Sequence, residues 1–126
     1  MSILTIGILL SLFQFKHFLC DFLLQGKYML GKFDAKGWVI PLFCHVLVHG
    51  IATFVVAIFC VPIIMSLYLS VFDMSMHFIV DRWKVIKSRA TDNTQPYFWH
   101  LLGMDQMFHH FTHYLIIFAI FIYFSH

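Results

Sequence analysis

His17-Phe18-Leu19-Cys20-Asp21 lies near the end of a long apolar run, and sixty residues on His77-Phe78-Ile79-Val80-Asp81 lies near the end of another. His-x-x-x-Asp sets both side chains on one face of a helix, one turn apart. Neither residue type belongs in an apolar run without a reason: on insertion scales an ionised Asp at the centre of a membrane span costs about 2.5–3.5 kcal/mol. The same offset carries His45 onto Asp105 and His49 onto His109. The chain thus reads as two similar helical hairpins in parallel orientation, an arrangement that places sites at the shared interface.

Outward from these motifs, four apolar segments appear, at about 3–24, 38–60, 62–85 and 98–124. Each is near the roughly 20 residues a helix needs to cross a hydrocarbon core. Of the 126 residues, 61% are hydrophobic and only 11% charged, with a mean hydropathy of +0.85. A soluble domain carries about a quarter charged residues, so lipid is the expected solvent. The expected fold is an all-α integral membrane protein, one domain over residues 1–126, built as a four-transmembrane-helix bundle. Pro62 suits the first turn of the third helix. The first segment has no basic residue before its apolar run and reads as a span rather than a cleaved signal peptide.

Charge orients the bundle. The stretch 26–37 carries Lys27, Lys32 and Lys36 against Asp34, and the connection after the third segment carries Arg82, Lys84, Lys87 and Arg89. The turn between the second and third segments carries no charge, and the termini carry no Lys or Arg. Short basic loops face the cytoplasm, so both termini are expected outside. Trp38, Trp83, Trp99, Tyr97 and Tyr123 fall at segment ends, as interfacial aromatics do. Net charge is only +2, with the basic residues gathered in two loops, which argues against a nucleic-acid partner. Cys20, Cys44 and Cys60 lie in apolar runs without C-x-x-C spacing and read as small hydrophobes, not as a disulfide framework or a thiolate site.

His and Asp fill 15 positions, with no Glu. Random scatter would give about 1.7 pairs at spacing four. The sequence has six: His17/Asp21, His45/His49, Asp73/His77, His77/Asp81, Asp105/His109 and His109/His113. Spacing three gives one, His110/His113. Every segment carries at least one spacing-four pair, all at a similar depth on the cytoplasmic side. A divalent cation would repay the burial, because carboxylate and neutral imidazole are its ligands. The expected ligands are His17, Asp21, His45, His49, His77, Asp81, Asp105 and His109, enough for one or two ions. Zinc, iron or manganese suits such a donor set better than copper(I) or an iron–sulfur cluster. The competing account is a metal-free polar network gluing the helices, which needs neither eight residues nor a common depth.

Around this group, Gln25, Asp73, Lys84, Gln106 and His113 are expected as supporting or substrate-contacting residues. Lys84, with Lys27, Arg82 and Arg89, could equally snorkel to lipid headgroups. Lys16 is as deep as His17 but off its face, and the spacing gives it no role. His100, His110 and His126 read as bystanders.

The series His17-Asp21-Gln25, His45-His49, His77-Asp81-Lys84 and Asp105-Gln106-His109 resembles the family of small membrane proteins known as domain of unknown function 3307. The resemblance spans most of the chain. It implies a protein of the bacterial inner membrane, from a bacterium or a phage, and brings no activity with it. A looser similarity of layout connects it to membrane-bound metal-dependent hydrolases.

The leading expectation is a membrane-embedded metal-dependent hydrolase, with Asp105 or Asp21 as general base. Its substrate would be amphiphilic or lipid-linked and approached from the cytoplasmic side. Alternatives are a zinc-like metal transporter or sensor, a di-iron lipid oxidase, and a non-catalytic regulator. Self-association or membership of a larger membrane complex stays open.

Overall fold

In the computed structural model, residues 1–125 are described, and His126 lies outside them. Among the described residues the chain is helical and has no strand. Helix α1 (Ile3–Phe18) is capped by Ser2, whose hydroxyl accepts the Thr5 N–H at 3.1 Å. It continues through a π-helical turn, Leu19–Leu23, closed by the Leu24 N–H donating to the Leu19 carbonyl at 2.8 Å. A 3-10 segment, Lys27–Phe33, follows where the sequence suggested only a basic loop. Helices α2 (Val39–Ala57), α3 (Ile63–Ser88) and α4 (Pro96–Tyr123) complete the bundle. Pro62 stands one residue ahead of α3, as its cap, and Pro96 opens α4, where a missing N–H costs nothing. Before α4, Asp92 accepts the Thr94 hydroxyl and backbone N–H. These bonds hold its carboxyl below the ordinary value.

Three helical stretches are long and apolar enough to cross a membrane: Ile3–Leu23, Val39–Ala57 and Ile63–Ser88. This corrects the expected four. Helix α4, at 28 residues, has the length, but His109, His110 and His113, with Asp105 and Gln106, dilute its apolar character. The outward face of the bundle is nevertheless apolar on every helix, with Phe15, Ile40, Tyr68 and Phe118 all more than half exposed. Polar groups turn inward, the inverse of a soluble protein.

The buried faces follow helical spacing. Helix α2 turns in Pro41, His45, His49, Thr53 and Ala57; α3 turns in Ser66, Ser70, Asp73, His77 and Asp81; α4 turns in Leu101, Asp105, His109, His113 and Ile117. Without a hydrophobic force between helices in lipid, close approach is what holds them. Gly50 supplies it between α2 and α3: a Cβ there would collide with the Met74 side chain, and Ser70 donates its hydroxyl to the Gly50 carbonyl at 2.7 Å. At the basic end, the Arg82 guanidinium lies 3.5 Å above the Trp38 ring and ties the end of α3 to the start of α2.

The bundle is divided along its length. The end holding the α1 N-terminus, the α2 C-terminus and the α4 C-terminus packs Leu9, Phe13, Ala57, Val61, Leu69, Ile116, Ile117 and Ile120 into one apolar core. The other end, beside the 3-10 segment and the α3–α4 connection, holds the histidines and aspartates.

Candidate metal centre

Each helix delivers its polar pair to the same layer, as a one-turn spacing on a buried face requires. His17, Asp21, His49 and His77 form one group, and Asp81, Asp105 and His109 a second; within each, one ligand-type atom per residue lies within 4.8 Å of the others. His45 stands between them, its Nε2 being 3.3 Å from Asp21 Oδ1 and 3.2 Å from Asp81 Oδ2. The rings of His49 and His77 have centroids 3.7 Å apart, and those of His77 and His109 3.8 Å, so a histidine column joins the groups. All eight sequence-expected ligands therefore meet in one place.

Asp21 is the focus of the first group. Its Oδ1 lies 2.9 Å from His49 Nε2 and 3.9 Å from His77 Nε2, and its Oδ2 lies 3.2 Å from His17 Nε2. It is carried on the π-helical turn, a local widening that recurs at functional sites. In the second group, Asp81 Oδ1 and Asp105 Oδ1 lie 3.2 and 3.4 Å from His109 Nε2.

Lys84 is expected near the site from its place after Asp81, whereas Lys16 and Lys32 are not. Lys32, on the 3-10 segment, is buried and donates to Asp81 Oδ2 at 2.6 Å. Lys84 donates to Asp105 Oδ2 at 2.9 Å. Lys16, left without a role by the sequence, is 5% exposed and pairs with Asp73 Oδ2 at 2.5 Å, where the Thr53 hydroxyl also donates. Each of these three carboxylates turns one oxygen to a lysine and the other toward histidine nitrogens. Asp73 Oδ1 faces His77 Nδ1 at 3.6 Å and His113 Nε2 at 3.7 Å, beyond hydrogen-bond range. Asp21 alone of the four has no lysine among its partners.

The pattern of satisfaction fits a cation. Both ring nitrogens of His45, His77 and His113 are buried without a hydrogen-bond partner, as are Asp73 Oδ1 and Asp105 Oδ1. Buried polar atoms are ordinarily paired, and so many orphans in one part of the bundle mark a place where a further group completes the set.

The supporting residues divide. Gln106 bridges the groups: its Oε1 lies 3.0 Å from His17 Nε2, and its Nε2 donates to Asp105 Oδ2 at 3.2 Å. His113 and Asp73 sit on the apolar side of the first group. Gln25 is half-buried just beyond the π-helical turn. His100 is exposed, and His110 is half-buried, its ring centroid 5.8 Å from that of His17. Arg82 stacks on Trp38 rather than reaching outward. A lysine as deep as Lys16 needs a counter-charge, and Asp73 lies one turn deeper than His77; matched depth was the signal that could have paired them. Lys32 offered no such signal, since its partner is 49 residues away and nothing local distinguishes it from Lys27 or Lys36.

Fold and site together define a small all-helical protein with membrane-length apolar helices and a buried His/Asp centre able to hold a metal ion. The chain belongs to the family described as protein of unknown function (DUF3307), whose model matches residues 8–126. No curated protein and no solved structure matches it.

Proposed function

We propose that the protein is a multi-pass protein of the bacterial inner membrane, with its basic loops cytoplasmic, and that it is a metal-dependent hydrolase of amphiphilic or lipid-linked substrates. His17, Asp21, His49 and His77 would hold the divalent ion, zinc, iron or manganese. Such an ion supplies Lewis acidity and a water activated near neutral pH. Asp105 is the residue assigned as general base. Lys84 and Gln106 fix its Oδ2, leaving the buried Oδ1 free of hydrogen bonds beside His109.

The observation that carries this reading over a transporter is the one-sidedness of the bundle. A carrier needs a polar route to both faces. Here the Lys16–Asp73 pair closes the deep edge of the centre, its carboxylate already matched by an ammonium and so offering a passing cation no net charge. Beyond it stands the apolar core around Phe13, Ile116 and Ile120, none of them accessible. A substrate approached from one side only is what a hydrolase needs. An apolar groove of about 280 Å³ between α1 and α2, lined by Leu12, Phe15, Leu19, Leu24 and Val55 together with Lys16 and Cys20, runs beside the turn that carries Asp21 and suits an acyl chain.

The test is cleavage. Zinc-loaded protein in nanodiscs of bacterial polar lipids, followed by lipid mass spectrometry, should release products that chelation abolishes. Asp105→Asn should bind zinc normally yet lose product formation by at least about 100-fold, the usual scale of a general base. Loaded protein that releases no product from phospholipid or polyprenyl phosphate substrates would remove the hydrolase reading.

A further inference from the structure

The two halves of the centre are related by the sixty-residue repeat, yet they differ in charge. With imidazoles neutral, the first group carries one negative charge, from Asp21. The second carries two, from Asp81 and Asp105, and both are matched by ammonium groups at 2.6 and 2.9 Å. The lysines belong to the second half alone. At the sixty-residue offset the counterpart of Lys32 is Asp92, an exposed loop residue, and that of Lys84 is Leu24, 54% exposed.

Adding a divalent ion takes the first group from −1 to +1, no further from neutrality than before. It would take the second from zero to +2, in a low-dielectric interior where unmatched charge is expensive. Donor atoms are not what the second group lacks. His45 Nε2 lies 3.2 Å from Asp81 Oδ2, the oxygen that Lys32 holds, and would complete a four-residue set with Asp81, Asp105 and His109.

We infer that Lys32 is a built-in cation that occupies the second half of the centre and makes the chain a one-ion protein. This rests on the metal reading above and specifies its stoichiometry. The fold takes trouble to place that ammonium. The 3-10 segment bends in against the start of α2, where Gly31 approaches so closely that a Cβ would lie 3.0 Å from the Pro41 ring. Lys32 reaches through to α3 with only 8% of its side chain exposed, although its sequence neighbours Lys27 and Lys36 stay at the surface. Without Lys32 the second group carries one negative charge, as the first does, and frees an Asp81 oxygen. It then becomes a second ion site.

The test is zinc content by elemental mass spectrometry, after saturation with Zn²⁺ and desalting in detergent. Wild type should hold one ion and Lys32→Met two, with the gain lost again in Lys32→Met/His109→Ala. Lys32→Arg, which keeps the charge, should stay at one. Circular dichroism and gel filtration establish folding, and Lys84→Met reads the same group should Lys32→Met not fold. Two ions in the wild type, or folded Lys32→Met holding no more zinc than the wild type, would overturn the inference. Failure of the underlying metal reading looks different: the wild type holds none. A zinc gained by Lys32→Met would still uphold the role of Lys32 in that case, and none in either would sink both.

Discussion

The two ends of this bundle are built from the same four helices but held together by different means. At one end Ile116 and Ile120 are sealed from solvent in an apolar core, and Phe13 marks its border, its ring centroid 5.2 Å from that of His113. At the other, His45, His49, His77 and His109 are equally sealed, yet every element around them contributes a charge or a ring nitrogen. Apolar packing at the first end tolerates imperfection, because each contact is small and non-directional. The polar end has no such tolerance. A buried charge that loses its partner costs far more than a lost methyl group, so this end must be complete to be stable.

The comparison is broken most severely at Asp73. Asp73→Ala strands the Lys16 ammonium in the interior and should destabilise the protein by about 3–5 kcal/mol, read as a shifted midpoint of unfolding in mixed micelles. Removing both charges, as in Lys16→Met/Asp73→Leu, should recover most of that loss, since a buried ion pair replaced by apolar residues is often neutral. A double variant as unstable as the single would mean that Asp73 matters through His77 and His113 rather than through Lys16. The apolar end predicts a smaller effect of another kind. Ile120→Ala should cost about 2 kcal/mol through the cavity it leaves, with bound metal unchanged. A loss of metal in Ile120→Ala would show that the two ends are coupled.

Much of the polar end was legible in the sequence because it is built from spacing-four pairs. His17 with Asp21, and Asp105 with His109, announce a shared helix face within five residues, and a common depth makes four such faces meet. The apolar segments gave the helices in the same local way. What was hidden is non-local. Lys16 and Asp73 are 57 residues apart, and Lys32 and Asp81 are 49 apart, so no window on the chain contains both partners. The neutralisation of Asp81 and Asp105 was assigned to metal at the sequence level; Lys32 and Lys84 supply it. That narrows the case for a cation to Asp21 and the orphaned ring nitrogens. Helix α4 reads as a span from the apolar run at its C-terminal end, but Asp105, Gln106, His109, His110 and His113 dilute the apolar character of the helix. The π-helical turn beneath Asp21 leaves no trace in the pattern, because one extra residue in a turn does not alter an apolar run.

Asp21 is where the account is most exposed. It is the carboxylate without a lysine, it gathers four histidines, and it is the residue that a bound ion has to explain. The measurement is the metal content of protein purified without added metal, for the wild type beside Asp21→Asn. The substitution keeps size and shape but removes the charge. The account predicts one equivalent of zinc, iron or manganese in the wild type and none in Asp21→Asn, with helical content preserved in both. Equal metal in the two proteins, or none in either after metal is restored, would contradict it and leave the histidines and aspartates as a hydrogen-bonded glue between helices.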